Sequence, residues 1–152
     1  MIYSSRESIV RRPKRMHFVD LTPYTYSSKQ DDTPTMNIGW LDIAVPFERG
    51  SVPAGFVERL KTLIQNPYAR TRGFHACQFC DDLQAALHCA DDIERKLYED
   101  CHADGRFSSA EIRVRGKDGR QYAAPRMIAH YVEVHGYKPP EEFIEAVMQG
   151  DR

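Results

Sequence analysis

Two pairs of side chains in this sequence have the types and spacing needed to hold a metal ion. Cys77 and Cys80 form a C-x2-C pair within Arg72-Gly73-Phe74-His75-Ala76-Cys77-Gln78-Phe79-Cys80, and His130 and His135 form an H-x4-H pair far downstream. Two thiolates and two imidazoles complete the tetrahedral sphere of Zn2+, and both local spacings lie in the range zinc ligands use. One tight turn can aim the two sulfurs at a common point, where a metal holds them as thiolates. Four protein ligands leave no position for water. The chemistry implied is therefore structural, with the ion contributing folding energy rather than catalysis.

Other residues compete for the same ion. His75 could replace His135 as fourth ligand, orient another ligand from behind, or simply pack. Cys101-His102 would also complete a set with Cys77 and Cys80, although adjacent positions are harder to aim at one centre. His88 and Cys89 read as ordinary helix residues. Against any metal stand two incidental buried thiols, or a thioredoxin-like redox pair, but no βαβ pattern surrounds the cysteines.

The elements that must position these ligands follow from the apolar pattern. Residues 53–66 predict a helix, with Pro53 in its first turn, Phe56, Leu60, Leu63 and Ile64 on one face, and Pro67 ending it. Arg59 and Lys61 fall on its solvated side. Residues 70–81 read as a loop carrying the cysteines. The segment 81–101 is strongly amphipathic, with Leu83, Ala86, Leu87, Ala90, Ile93 and Leu97 at helical steps. Residues 110–115 alternate apolar and charged, 116–119 turn, and 120–124 return, which predicts a hairpin with Glu111, Arg113 and Arg115 on its solvent face. Pro125 opens a predicted helix at 126–134, with Met127, Ile128, Tyr131 and Val134 inward. His130 lies on it and His135 at its end, before Gly136. Five residues apart, they converge only if the last turn loosens or the helix stops. A final helix at 141–148 packs Phe143, Ile144 and Val147.

Upstream, residues 18–26 read as an edge strand or a strap over the core, and 27–35 as a polar loop. Residues 37–42 read as a short apolar strand placing Trp40 in the core, with ligand stacking as the alternative, and 46–53 as a turn-rich connection. The fold class expected is α+β: a small single domain with a short antiparallel β-hairpin or sheet packed by three to four helices around a zinc site.

At 152 residues, with 41% hydrophobic and 28% charged side chains, the chain is long enough to bury a core without staples. A net charge of -1 favours neither nucleic acid nor an anionic membrane, and no apolar run is long enough to span a bilayer. Cytoplasm is the expected compartment, where four cysteines read as thiols or metal ligands. Residues 1–15 carry Arg6, Arg11, Arg12, Lys14 and Arg15 against the single acid Glu7. They read as a flexible basic extension preceding a globular zinc-binding domain at 16–152, with a nucleic-acid arm as the sharper alternative.

Several stretches also resemble an uncharacterised family of small bacterial proteins, a domain of unknown function. They are residues 18–26, 37–42, Thr71-Arg72-Gly73-Phe74-His75-Ala76-Cys77-Gln78-Phe79-Cys80, Glu111-Ile112-Arg113-Val114, Tyr122-Ala123-Ala124-Pro125, and 130–143. The resemblance runs from about residue 16 to the C-terminus. It implies Met16 as the natural start and favours Cys77, Cys80, His130 and His135 over the set with Cys101 and His102. It treats the helix after Cys80 as an elaboration, and it brings no activity.

Three functions compete. The first is a structural-zinc protein whose surface binds another protein. The second is a metal-dependent hydrolase with Glu133 or His75 as base, but Glu133 is not in H-E-x-x-H order and the deaminase signature is absent. The third is a nucleic-acid-binding accessory protein. The ligand pairs lie too far apart for a C2H2 finger, though a basic patch of Arg70, Arg72, Arg113, Arg115 and Arg126 would favour it.

Overall fold

The computed structural model describes residues 17–24, 34–80 and 107–150, with the backbone alone at 69–76 and 107–109. In chain order the elements are β1 (Thr35–Asn37), α1 (Phe56–Leu63), β2 (Ala69–Ala76), β3 (Phe107–Arg115), β4 (Gln121–Pro125), α2 (Ile128–His135) and α3 (Glu141–Gln149). The strands form one mixed sheet in the order β1-β4-β3-β2, so the class is α+β. Its centre is the expected hairpin. β3 and β4 pair antiparallel from Glu111 opposite Pro125 to Arg115 opposite Gln121. The turn closes through the Gly116 N–H donating to the Arg120 carbonyl at 2.8 Å, with Gly119 supplying a φ of 84°. β1 adds in parallel beside β4, and β2 adds antiparallel beside β3 with an irregularity between Arg70 and His75.

The two faces of this sheet have opposite characters, because alternate β3 residues point opposite ways. Ile112 and Val114 join Tyr122 and Ala124 in a core with Phe56, Leu60 and Ile64 of the α1 region, Ile128 of α2, and Phe143 and Val147 of α3. Phe143 sits edge-on to both Phe56, at 6.3 Å between ring centres, and Tyr122, at 5.9 Å. Such T-shaped pairs add to the area they bury. The helix faces follow the pattern expected of them, with Phe56 and Leu60 buried on α1 and Phe143, Ile144 and Val147 buried on α3.

The other face is where the solvent-facing hairpin expectation fails. Glu111 is 1% exposed and the Arg113 side chain 8%, and of the three charged residues only Arg115 is open to water. The cause is the segment 17–24, expected as an edge strand or a strap: Pro23 makes an isolated antiparallel bridge to Met36 of β1, and the Tyr24 side chain reaches over this face. Leu21 N–H donates to the Asn37 carbonyl and Tyr24 N–H to the Thr35 carbonyl, both at 2.8 Å. The Tyr24 hydroxyl donates to Glu111 Oε2 at 2.5 Å. The Arg113 guanidinium lies over the Tyr24 ring at 4.5 Å and the Tyr68 ring at 4.7 Å, and pairs with Glu111 at 3.5 Å. A buried charge is tolerable only when paired, and here the strap supplies much of the pairing. Trp40 is a core residue, as expected. Its ring contacts Phe18 and Tyr24, and its indole N–H donates to the Ala123 carbonyl at 3.0 Å.

Several boundaries differ from expectation. The helix expected at 53–66 is α1, which spans Phe56–Leu63 and so begins after Pro53. The strand expected at 37–42 does not form: β1 spans Thr35–Asn37 and ends where that strand was expected to begin. Gly39, at φ 72°, then turns the chain, its N–H held by Asp20 Oδ1. The region expected as a loop before Cys77 is strand β2, because pairing with β3 overrides a local sequence with no apolar alternation. Pro125 closes β4 rather than opening a helix, and α2 begins at Ile128. Its buried face is Ile128, Ala129, Tyr131 and Val132, so Val134, two positions past Val132, is turned outward and 58% exposed. The amphipathic segment 81–101 and the basic extension 1–15 lie outside the described residues, as do His88, Cys89, Cys101 and His102. Among the described residues no helix is long and apolar enough to cross a membrane.

Candidate metal centre

β2 delivers the chain to a turn at residues 77–80, where Cys80 N–H points back at the Cys77 carbonyl at 3.4 Å. This brings Cys77, which is buried, and Cys80, which is half-buried, to the same side of the turn. Gln78 between them accepts a hydrogen bond from Ile43 N–H at 2.9 Å and ties the turn to the segment after Trp40. Phe79 packs edge-on against Tyr131 at 5.9 Å and Phe47 at 5.4 Å, and leans on the His135 ring at 5.3 Å.

The histidines come from α2. Five residues of ideal helix rotate a side chain through about 500°, leaving the two imidazoles roughly 140° apart. The helix stops directly after His135 instead. Gly136 takes the left-handed φ of 71°, and its N–H caps the Tyr131 carbonyl, with Tyr137 N–H on the same oxygen at 3.1 Å. With no following turn to confine it, His135 meets His130 with the rings 4.8 Å apart and nearly perpendicular.

The four donor atoms then converge. Cys77 Sγ is 3.3 Å from His135 Nε2, and Cys80 Sγ is 3.2 Å from His130 Nε2 and 3.5 Å from His135 Nε2. The two Nε2 atoms are 3.1 Å apart, and all four donors lie within 4.8 Å of one another. A tetrahedral zinc ion sets S···N edges of about 3.6 Å and N···N edges of about 3.3 Å. Every one of these contacts is within about 0.4 Å of those lengths. Hydrogen bonds alone would satisfy the cluster poorly, since His135 Nε2 faces three neighbours and a neutral imidazole nitrogen carries at most one proton. One cation at the centre satisfies all four.

The surroundings favour neutral groups. Burial, reinforced by Cys80 and opposed by the backbone N–H of Phe79, pushes the Cys77 thiol up to about 12. Burial and the Arg49 charge hold His135 below the ordinary imidazole value. Burial, then the two sulfurs, raise the Tyr131 hydroxyl well above its usual range. A metal bound here would displace a proton from Cys77, since the ion and the proton compete for the same thiolate.

The arrangement unites Cys77, Cys80, His130 and His135. It places the His75 backbone in β2 opposite Ser108, while the His75 side chain lies outside what the structure describes. Glu133, the base of the hydrolase alternative, forms an exposed ion pair with Lys61 at 2.6 Å. Of the five arginines of the basic patch, the side chains of Arg70 and Arg72 lie outside what the structure describes, and Arg115 is exposed. Arg113 is enclosed by Tyr24 and Tyr68, and Arg126 Nε donates to the Ile64 carbonyl at 2.9 Å. Two supports of the site went unseen in the sequence. One is the Gln78 tie to Ile43. The other is the aromatic wall of Phe47, Phe79 and Tyr137, for which the only local signal was Phe79 inside the C-x2-C pair.

No curated protein and no solved structure matches this chain. A family profile does: that of a domain of unknown function, DUF7919, matches residues 16–148, and the chain belongs to that family.

Proposed function

We propose that Cys77, Cys80, His130 and His135 bind one structural Zn2+, and that the protein so ordered works by contacting another protein. The observation that carries the metal is the convergence of four soft and borderline donors from two chain segments to within 4.8 Å. Two thiolates with two imidazoles select zinc over the hard cations, which take oxygen ligands. The metal clamps the 77–80 turn to the end of α2. The contact surface is supported by exposed apolar side chains flanking that clamp. Ile43 is joined to Gln78, and Val134 adjoins His135.

The test is metal content of the full chain purified without a polyhistidine tag, repeated for Cys77→Ser and His130→Ala. About one zinc per chain is expected, lost in both variants together with part of the stability. Zinc retained by His130→Ala but lost from Cys77→Ser would move the site toward His75 or Cys101-His102, and no metal in the wild type would end the reading. For the surface, a protein captured by the wild type should be lost with Ile43→Glu and Val134→Glu. Equal capture by both would locate the contact elsewhere.

A further inference from the structure

We propose that the Cys77–Cys80 turn is an oxidation switch, in which a peroxide joins the two sulfurs as a disulfide, releases the ion and loosens the contact surface. The proposal rests on the zinc reading above and adds a means of regulation to it. The turn is shaped for an internal disulfide. Cys80 N–H donates to the Cys77 carbonyl across two intervening residues, and a turn of that class keeps its end Cα atoms within about 7 Å. Disulfides span Cα separations of about 4.4–6.8 Å. The two Sγ atoms already lie within 4.8 Å of each other, so the bond asks for side-chain rotation and little backbone movement.

The two sulfurs differ in access. Cys77 is fully buried, whereas Cys80 is half-buried, so a peroxide meets Cys80 first. The Cys80 thiolate attacks one peroxide oxygen, the O–O bond breaks, and Cys80 becomes a sulfenic acid as hydroxide leaves. The Cys77 sulfur, as thiolate, then attacks the Cys80 sulfur. The S–O bond breaks and a second hydroxide leaves. Two thiolates and one hydrogen peroxide thus give one disulfide and two hydroxides, which take two protons from solvent. The sulfurs together lose two electrons, and the peroxide gains them.

Neither histidine is altered by this step. His130 and His135 alone supply half of a zinc sphere, and a disulfide is no substitute for two thiolates, so the ion leaves. The exposed apolar side chains on either side of the centre belong to different parts of the chain. Ile43 is tied to the turn by its N–H bond to Gln78 at 2.9 Å, and Val134 belongs to α2, one residue before His135. The ion bonds to both parts and holds them in register. Once the sulfurs bond to each other instead, Phe79 still packs on Tyr131 at 5.9 Å, but no coordinate bond fixes the turn to α2. A partner that needs Ile43 and Val134 together then loses its surface.

The experiment treats the zinc-loaded full chain with hydrogen peroxide. It follows zinc with a chromogenic chelator, disulfides by mass spectrometry of peptides, and backbone protection by hydrogen exchange. Zinc should be released in step with a Cys77–Cys80 disulfide, and a dithiol with added zinc should reverse both. Exchange at 77–80 and 134–137 should quicken at least about tenfold, with the β3–β4 hairpin unchanged. The double variant Cys89→Ser with Cys101→Ser should respond as the wild type does. A wild type that takes up no zinc before treatment would overturn the zinc reading and this proposal with it. Four results would overturn the switch alone and leave the structural zinc standing: zinc retained after treatment, a disulfide from Cys77 or Cys80 to another cysteine, a sulfinic acid at Cys80 with no disulfide, or zinc release with exchange unchanged at 77–80 and 134–137.

Discussion

Withdrawing the zinc proposed for Cys77, Cys80, His130 and His135 should lower the melting temperature by about 10 °C. The contacts at the centre join Cys77 to His135 across 58 residues and Cys80 to His130 across 50. Closing a loop of about fifty residues costs the unfolded chain roughly 4 kcal/mol in configurational entropy. Four of the donor contacts are already within about 0.4 Å of tetrahedral edge lengths and all donors lie within 4.8 Å, so the rearrangement left to the native state is about an ångström. The same figure corresponds to free zinc at about a thousand times its dissociation constant. At about 2–4 °C per kcal/mol for a chain of this size, the melting temperature falls by roughly 8–16 °C. Scanning calorimetry of the metal-loaded full chain, before and after dialysis against a chelator, reads this directly, and added zinc should restore the original curve. The combined variant Cys77→Ser with His130→Ala should melt at the chelated temperature whether chelator is present or not. An unchanged melting temperature in chelated wild type, from a sample verified to have held zinc, would refute the cross-link argument. So would a double variant that still responds to the chelator.

Apparent zinc affinity should fall by at least about tenfold per pH unit as pH drops from about 9 to 6, measured by competition with a chelating dye. The sign follows from Cys77. Its thiol, pushed up to about 12, stays protonated across that range in the ion-free chain and must release its proton to bind. His135, held below the ordinary imidazole value, adds proton competition only at the acid end. Tyr24→Phe keeps the ring over Arg113 but removes the bond to Glu111, and should cost about 2 kcal/mol by urea denaturation. A loss under about 0.5 kcal/mol would mean that Glu111 finds another donor. Two glycines separate backbone strain from crowding. Gly136→Ala, at φ 71° with nothing within 4 Å of its new Cβ, should cost about 1 kcal/mol. Gly39→Ala, at φ 72° with Ile128 Cδ1 at 3.0 Å, should cost distinctly more, and equal losses would show that Ile128 yields freely.

The candidate donor set was legible because metal chemistry leaves a local trace: paired donors at short spacing, whatever lies between them. The hairpin was legible for a related reason, since alternation and Gly116 with Gly119 are both local signals. What stayed hidden was set by contacts distant in sequence. Glu111 and Arg113 read as solvent-facing because their alternation reports only that they share a face, and not that Tyr24 covers it from 87 positions away. The strand character of 69–76 was hidden for the same reason. Nothing in Arg70-Thr71-Arg72-Gly73 asks for a strand until β3 offers its edge. Val134 read as inward because the apolar residues of α2 spread over more than one face, whereas the buried face runs through Ile128, Ala129, Tyr131 and Val132; Pro125 gave a false start because it also suits the end of β4.

The strap has a consequence for how the chain is made. Synthesis runs from the N-terminus, so residues 17–24 leave the ribosome before the residues that anchor them. Their anchors are made much later: Tyr24 binds Glu111, and Asp20 accepts a hydrogen bond of 2.6 Å from the Tyr137 hydroxyl, 117 residues downstream. β1 waits as well, because its partner β4 begins at Gln121. The β3–β4 hairpin, closed by a short turn, can form as soon as it emerges, whereas pairings of such long separation form slowly. Until those partners emerge the aromatic strap therefore has nothing to cover, and it docks after the hairpin and α2 are complete. A nascent chain stalled before Tyr137 should leave the strap open to proteolysis, and release of the full chain should protect it.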